Sequence, residues 1–281
     1  MTAPRRSLIQ LAEAMSVRDR QIIETVERFR FVSGKQMERL FFAAPGDEPA
    51  TRARLARRAL ERLTDLGCLG RLDRRIGGVR AGSSGYVYAV GPSGRRLVSY
   101  WRGQGSGRGR LPHEPGSSFV RHILGVGETY VRMVEAERTG HLEVITFEPE
   151  PGCWRSFTSP IGGRLDVKPD AFARVGVGAF EDRYFVEIDC GTEGRGTITR
   201  KLRTYLDYYR SGSEQAAAGV FPKVLFITTT EARRALIVDV CAALPADAWQ
   251  LFAVTTPAMA MDLICGHIEQ GATHPRTGGR P

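Results

Sequence analysis

Three acidic side chains fall at the ends of two neighbouring strand-like segments in the second half of the chain. Pro169-Asp170 opens the first segment, and Glu187-Ile188-Asp189 lies near the end of the second. Because side chains alternate along a strand, Glu187 and Asp189 should share one face while Ile188 points to the core. Carboxylate oxygens are the ligands that Mg²⁺ or Mn²⁺ prefers, and such an ion can activate water for attack on a phosphodiester. The pattern predicts a metal-dependent catalytic site at Asp170, Glu187 and Asp189.

The second group of candidate functional residues is basic and lies in the first half of the chain. It comprises Arg52, Arg54, Arg57, Arg58 and Arg62 on a segment of helical periodicity, and Arg74, Arg75 and Arg80 in a glycine-rich loop. Residues 1–116 hold 22 Lys and Arg against 11 Asp and Glu, whereas residues 117–281 hold 18 against 20. The net charge of +9 therefore arises from +11 in the first part and −2 in the second. A polyanion-binding module joined to a nearly neutral domain would have this distribution, so we expect the arginines to bind double-stranded DNA.

Helices and a hairpin should position these arginines. Ser16 and Ser33 stand where they can cap two helices, the first over residues 17–29. A third helix has an apolar stripe formed by Leu55, Ala56, Ala59, Leu60, Leu63 and Leu66, and it ends at Gly67. Two strand-like runs follow, over 68–72 and 85–90, and then a helix begins at Pro92. This is the order of a winged helix-turn-helix, in which the third helix enters the major groove and the wing touches the DNA backbone.

The acidic residues should belong to a separate α/β domain. Residues 103–117 are rich in glycine and contain no apolar period, which predicts a flexible linker. Beyond it we expect a long helix, strands over 142–147, 165–175 and 183–190, a helix over 197–209, a strand over 224–228, a helix over 231–243 and a strand over 251–255. The order α-β-β-β-α-β-α-β predicts a mixed sheet flanked by helices. The predicted divisions are 1–102, 103–117, 118–269 and a disordered tail over 270–281.

Cysteine and histidine usage excludes several other kinds of protein. The five cysteines are widely spaced and form no CxxC pair, no signal-peptide pattern precedes them, and no apolar run approaches a membrane span. We therefore expect a reduced, cytoplasmic protein with no membrane association. The five histidines form no ligand cluster, which argues against zinc catalysis. Tyr205, Tyr208 and Tyr209 remain open as nucleophiles, although packing is the more common role for such residues.

The acidic pattern and the predicted order of elements resemble the PD-(D/E)xK nuclease superfamily. The resemblance implies that Asp170 and Glu187 are metal ligands, with the backbone carbonyl of Ile188 as a further ligand. This chain has Asp189 where the superfamily pattern has a lysine, and a carboxylate cannot supply a positive charge. We expect Lys201, on the following helix, to provide that charge. Glu128, on the first helix of the domain, is a further candidate metal ligand.

A more specific resemblance combines the winged helix with three segments of the second domain. These are Lys168-Pro169-Asp170-Ala171, then Val186-Glu187-Ile188-Asp189-Cys190-Gly191-Thr192-Glu193, then Lys201-Leu202-x-x-Tyr205. Together they resemble the replication-relaxation family of plasmids and integrative elements, over roughly residues 16–256. The resemblance implies a role in plasmid replication or in relaxing and processing DNA for transfer. Replication or conjugation proteins would then be partners.

Two functions are compatible with these features. In the first, the arginines dock the duplex and the acidic residues bind Mg²⁺ or Mn²⁺ for cleavage or nicking of DNA. In the second, the substitution of aspartate for lysine has removed catalysis, and the nuclease-like domain serves for assembly while the winged helix recognises a DNA site. The arginine segment also has a simpler interpretation, as a solvated helix face. Winged helices often pair on palindromic DNA, so a homodimer remains open.

Overall fold

The computed structural model describes residues 7–44, 46, 48–72, 86–104, 116–159 and 162–266. The chain forms two compact units, Met1–Val131 and Arg132–Pro281. No helix within the described residues is long and apolar enough to cross a bilayer. The five cysteines are free thiols.

The first unit is mainly helical. Its elements are α1 Leu8–Glu13, α2 Val17–Phe29, β1 Val32–Ser33, α3 Gly34–Phe41, α4 Pro49–Asp65, β2 Leu69–Arg71, β3 Val87–Val90, α5 Pro92–Trp101 and the first part of α6 Ser117–Arg138. The three strands form an antiparallel sheet in the order β1-β3-β2. Residues 73–85, between β2 and β3, lie outside the described residues, and the predicted basic loop falls on them.

Local capping chemistry begins α2 and α3 where the sequence predicted. The hydroxyl of Ser16 accepts a hydrogen bond from the backbone N–H of Asp19, and the carboxylate of Asp19 accepts one from the backbone N–H of Ser16. Ser33 and Gln36 make the same reciprocal pair at the start of α3. Each pair satisfies two of the backbone donors that a helix start leaves without an intrahelical partner.

The apolar face of α4 differs from the predicted stripe. Ala56, Leu60 and Leu63 are buried, whereas Leu55 is 42% exposed. A helix turns by 3.6 residues, so positions 56, 60 and 63 form one face and Leu55 lies about 100° away from Ala56. Leu55 therefore lies among the exposed arginines rather than in the core.

The start of α6 belongs to the first unit. Val120 and Ile123 are buried in a cluster with Phe31 and Val87. The division between the units falls inside α6, between Val131 and Arg132, rather than in the glycine-rich stretch where we predicted a linker. Apolar residues at helical spacing revealed the helix, but they could not show which neighbours would cover it. Most of the predicted linker, residues 105–115, lies outside the described residues.

The second unit is an α/β domain. After the end of α6 it contains β4 Glu143–Pro149, β5 Arg155–Thr158, β6 Arg164–Val167, β7 Ala171–Val177, β8 Phe180–Asp189, α7 Arg195–Ser211, α8 Ser213–Ala218, β9 Lys223–Thr228, α9 Glu231–Ala242, a 3₁₀ helix Ala246–Leu251, β10 Phe252–Thr255 and α10 Ala260–Ile264. A five-stranded mixed sheet has the order β10-β9-β8-β7-β4. Strands β4, β7 and β8 pair antiparallel, and β8, β9 and β10 pair parallel through crossovers that contain α7 and α9.

The structure confirms a mixed sheet flanked by helices and corrects one strand. The predicted strand over 165–175 is two strands, β6 and β7, interrupted at residues 168–170. Strand β6 pairs with β5 in a separate hairpin that the sequence analysis missed. Proline at position 169 lacks the N–H that a continuous ladder needs, which accounts for the interruption.

The core of the second unit lies between the sheet and the helices α7 and α9. Phe172 and Phe185 on adjacent strands belong to one buried cluster with Ile198 and Leu202 of α7 and Ile237 of α9. On β8 this face continues from Phe185 to Glu187 and Asp189, since alternate residues share a face. The candidate acidic residues therefore extend from the apolar core itself.

Candidate functional site

Asp170 and Glu187 are cross-strand neighbours at the ends of β7 and β8. Ala171 is the first residue of β7 and pairs with Val186 in the antiparallel register, so Asp170 directly precedes the ladder, near Glu187. The backbone N–H of Asp170 donates to the carbonyl of Val186 at 3.0 Å, and Oδ2 of Asp170 accepts from the backbone N–H of Ile188 at 2.6 Å. These bonds hold both carboxylates at the same strand ends. Asp170 is 8% exposed and Glu187 is 2% exposed.

Both oxygens of Glu187 accept hydrogen bonds from α7. The phenol of Tyr205 donates to Oε1 at 2.6 Å, and Nζ of Lys201 donates to Oε2 at 2.8 Å. Lys201 and Tyr205 are four residues apart, so they lie on one face of the helix. Nζ of Lys201 is also 3.3 Å from Oε1 of Glu193, and its side chain is 28% exposed. The cluster of Asp170, Glu187, Lys201 and Tyr205, here called the acidic cluster, is therefore open to solvent on its lysine side.

The electrostatics of the acidic cluster favour retention of a proton by the carboxyl group of Glu187. Burial and the negative charge of Asp170 raise the pKa of Glu187 to about 7, against the opposing effect of Lys201 and Tyr205. Burial by itself lowers the pKa of Lys201, but the carboxylate of Glu187 outweighs this effect and the pKa is raised overall. Lys201 is therefore the charged member of the pair at neutral pH, and the group that titrates near pH 7 is a carboxyl.

Asp189 is engaged elsewhere, by an arginine of α9. Its two oxygens accept from Nε and Nη2 of Arg233 at 2.7 and 2.6 Å. Nη2 of Arg233 also donates to the backbone carbonyl of Glu193 at 3.0 Å, so the same guanidinium holds the loop after β8. The predicted division of faces on β8 is wrong for Ile188, which is only half-buried while Glu187 and Asp189 are buried. Helices α7 and α9 cover the carboxylate face.

The four predicted metal ligands do not come together as one set. Asp170 and Glu187 are adjacent, and Asp189 is paired with Arg233. Glu128 belongs to the first unit, where both of its oxygens accept from Nη1 of Arg39 at 2.8 Å. Among the described residues, no three His, Cys, Asp or Glu side chains lie close enough together to hold a metal ion. Within the described part of the chain, the acidic cluster therefore offers two carboxylates, Asp170 and Glu187, as metal ligands.

The predicted DNA-binding arginines of α4 differ in what they contact. Arg54, Arg57 and Arg58 are exposed and make no ion pair or hydrogen bond within the described part of the chain. Arg52 is half-buried in the first turn of the helix. Arg62 is tied to the protein, because its Nη2 lies 2.5 Å from Oδ1 of Asp19, which is 3% exposed. Arg62 therefore anchors α4 to the start of α2.

The three exposed arginines line a cleft of about 520 Å³ in the first unit. The residues around it that carry charge or an aromatic ring are Lys35, Glu38, Arg54, Arg57, Arg58, Glu61, Arg71, Tyr86 and Tyr88. Basic side chains outnumber acidic ones in this lining, so the cleft favours an anionic ligand. The other predicted contacts, Arg74, Arg75 and Arg80, lie outside the described residues.

Comparison with models of known protein families gives a match over most of the chain. The model of a family described as replication-relaxation matches residues 23–224, well over half of the chain. The chain belongs to the replication-relaxation family. Membership indicates a role in the replication or relaxation of plasmid or mobile-element DNA. No curated protein and no solved structure matches the chain.

The replication-relaxation match includes both candidate surfaces. It begins within α2 and ends within β9, so it spans the arginines of α4 and all four residues of the acidic cluster. Arg233 lies beyond its end. Sequence reasoning missed Arg233 because the arginine is 44 residues from Asp189 and no spacing rule joins them. The contact of Tyr205 with Glu187 had a weak signal, since Tyr205 shares a helix face with Lys201.

Proposed function

We propose that the first unit is a winged-helix module that binds double-stranded DNA through α4. Three arginines at positions 54, 57 and 58, unpaired among the described residues, carry the proposal, since residues three and four apart share one helix face. The buried face of α4 packs on the unit while the arginine face remains exposed, as a groove-entering helix requires. Arg74, Arg75 and Arg80, which lie between β2 and β3 in the sequence and outside the described residues, would contact phosphates.

We propose that the second unit is a PD-(D/E)xK-like domain whose acidic cluster cleaves or nicks DNA. Mg²⁺ typically takes one or two protein carboxylates and completes its shell with water and substrate phosphate, so Asp170 and Glu187 are a suitable pair. Each carboxylate oxygen has two lone pairs, so the bonds from Tyr205 and Lys201 leave an acceptor position on each oxygen of Glu187. A bound Mg²⁺ or Mn²⁺ would supply charge neutralisation and an activated water.

Residues of the chain itself would orient the reacting groups. In the superfamily pattern the positive charge comes from a lysine on the strand. Here Lys201 of α7 would supply it, since its Nζ lies beside Glu187 and its side chain is partly exposed. Tyr205 fixes the carboxylate of Glu187 through its phenolic hydrogen bond. The backbone N–H of Ile188 fixes Asp170 in the same way. These contacts hold the acidic groups before any substrate binds, which reduces the reorganisation that the reaction requires.

A non-catalytic protein is the second candidate function. The pairing of Asp189 with Arg233 favours this function. Asp189 stands where the nuclease pattern has a lysine, and here that position takes part in an internal ion pair. In that case α4 would recognise a DNA site, and the second unit would serve for assembly with replication or conjugation proteins or with a second copy of the chain.

A nicking assay distinguishes the two functions. Purified protein is incubated with supercoiled plasmid and Mg²⁺ or Mn²⁺, and wild type is compared with Asp170→Asn. The asparagine keeps an acceptor for the Ile188 N–H and removes the charge, so nicking should be lost without unfolding. Asp182→Asn, an exposed substitution on β8, is the matched control and should nick as wild type does. Absence of nicking by wild type with either metal, with DNA binding intact, supports the second function.

A further inference from the structure

Trp154 is an exposed aromatic residue on a segment that is hydrogen-bonded to Pro169 and Asp170. Its side chain is 40% exposed, and it directly precedes β5. The neighbouring Cys153 is fully buried, and its Sγ donates to the carbonyl of Pro169 at 3.0 Å. The backbone N–H of Glu150 donates to the carbonyl of Asp170 at 3.0 Å. The segment that carries Trp154 is therefore bonded directly to the segment that carries Asp170.

A lysine holds the indole ring from one side. Nζ of Lys168 lies 4.9 Å from the ring centroid of Trp154, and the lysine side chain is 53% exposed. Lys168 precedes Asp170 by two residues, so its Cα is at most ~7 Å from that of the carboxylate residue. Within the described residues, the indole N–H of Trp154 has no acceptor, whereas that of Trp249 donates to the carbonyl of Leu244. Trp154 thus has an unused donor and an exposed ring surface.

Exposed positive charge continues from Lys168 along the hairpin. Arg164 on β6 is 79% exposed, and the carboxylate of Asp166 lies between it and Lys168, at 3.7 and 3.9 Å. Arg164 and Lys168 carry two positive charges against the one negative charge of Asp166, so this group of three side chains has a net positive charge. Arg155 supports the turn, since its Nη1 donates to the carbonyls of Gly152 and Trp154. An exposed aromatic ring next to cationic side chains can bind a nucleotide. The base stacks on the ring, and the phosphate pairs with the cations.

We propose that Trp154 and Lys168 form a stacking site for an unpaired nucleotide next to Asp170. A base inside a duplex is covered on both faces by its neighbours, so the indole can stack only on a base that has left the duplex. The ligand is therefore single-stranded or locally opened DNA. The inference rests on the proposed action of the second unit on DNA. It adds that the strand reaches Asp170 in an unpaired state.

Binding of a single-stranded oligonucleotide tests the site separately from cleavage. Full-length protein is titrated into a fluorescein-labelled twelve-nucleotide oligo-dT in EDTA, and anisotropy is followed. Trp154→Ala should weaken binding by about 5- to 150-fold, whereas Trp154→Phe should retain most of the affinity because a phenyl ring still stacks. Lys168→Ala should lower the slope of log K against log salt by about 0.7. Phe180→Ala, at an aromatic residue 78% exposed on the same unit, is the matched control and should bind as wild type does.

Several outcomes would overturn the stacking site. The first is that wild-type protein does not bind oligo-dT. The second is that the affinity of Trp154→Ala for oligo-dT is within twofold of wild type. The third is that Phe180→Ala loses as much affinity as Trp154→Ala. An equal loss of duplex affinity would make Trp154 a duplex contact, and an altered oligomeric state with unchanged DNA affinity would assign the surface to a protein partner. Circular dichroism of each variant verifies folding. The proposed cleavage of DNA by the second unit is tested separately, by the nicking assay with wild-type protein in Mg²⁺.

Discussion

Asp189 and Arg233 form a two-pronged ion pair at the carboxyl end of β8. Nη2 of Arg233 lies 2.6 Å from Oδ1 of Asp189, and the two side chains are 16% and 4% exposed. Asp189 occupies the position at which the nuclease resemblance calls for a lysine. The strand therefore supplies the anion and α9 supplies the cation, and the pair also fixes the carbonyl of Glu193. Because Glu193 contacts Lys201, the same pair supports the acidic cluster from one side.

The Asp189–Arg233 pair should be a strong structural contact. Removal of one partner leaves the other charge buried and unpaired, which costs on the order of 3 kcal/mol. We expect Asp189→Asn and Arg233→Met each to lower the free energy of unfolding by about this amount, and the double variant to be little worse than either single one. Urea denaturation of the four proteins measures the coupling.

The exposed pair Arg195 and Asp239 is a matched control for this cycle. Its side chains are 56% and 63% exposed, so solvent screens the attraction. The corresponding cycle with Arg195→Met and Asp239→Asn should give a coupling of at most about 1 kcal/mol. Equal couplings in the two cycles would show that the Asp189–Arg233 contact does not hold the loop.

The raised pKa of Glu187 should make stability depend on pH between about 4.5 and 7. The unfolded carboxyl loses its proton near its ordinary pKa of about 4.5, whereas the folded one keeps it up to about 7. The native state thus binds more protons in this window, so the free energy of unfolding should fall as pH rises through it. Glu187→Gln should remove this slope in denaturation curves recorded at several pH values.

Two further variants test the cause of that slope. Asp170→Asn removes the negative charge that helps to raise the pKa, so the slope should end at a lower pH. Glu181→Gln is the control, because Arg174 and Arg183 lower the pKa of Glu181 to about 2 and its titration lies below the window. A wild-type profile that is flat between pH 4.5 and 7 would contradict the assignment.

Arg62 should contribute to stability rather than to DNA contact. Its guanidinium pairs with the buried carboxylate of Asp19, which also caps α2. Arg62→Ala should therefore lower the free energy of unfolding by about 1–3 kcal/mol, since a buried acceptor loses its charged partner. Arg58→Ala, on the exposed face of the same helix, should stay within about 0.5 kcal/mol of wild type. Similar thermal denaturation midpoints for the two variants would rule out this anchoring role.

Arg54, Arg57 and Arg58 should dominate the salt dependence of duplex binding. If each neutralises one phosphate, the triple alanine variant should reduce the slope of log K against log salt by about 2.7. Arg96→Ala, an exposed arginine on α5, is the control and should leave affinity and slope unchanged. Anisotropy titrations at several salt concentrations provide both numbers. An unchanged slope in the triple variant would mean that α4 is only a solvated face.

Much of the element order could be predicted from the sequence because it depends on neighbours within a few residues. Ser16 and Ser33 accept hydrogen bonds from residues three positions later, so residues close in sequence determine where each helix starts. The interruption at Pro169 was missed because strand patterning on both sides is continuous, and β5 was missed because four residues carry little periodicity. The exposed Leu55 shows the same limit, since an apolar residue beside a stripe need not belong to it.

The sequence by itself determined that positive charge lies in the first part of the chain and that acidic residues stand at strand ends, because both are properties of composition and short spacing. Only the tertiary structure decided which partner each charge receives. Glu128 pairs with Arg39 at a separation of 89 residues, and Asp189 pairs with Arg233 at a separation of 44. Such partners are set by strand register and by the packing of helices on the sheet, which place distant segments within hydrogen-bond reach. The same packing buries Glu187 and thereby raises its pKa.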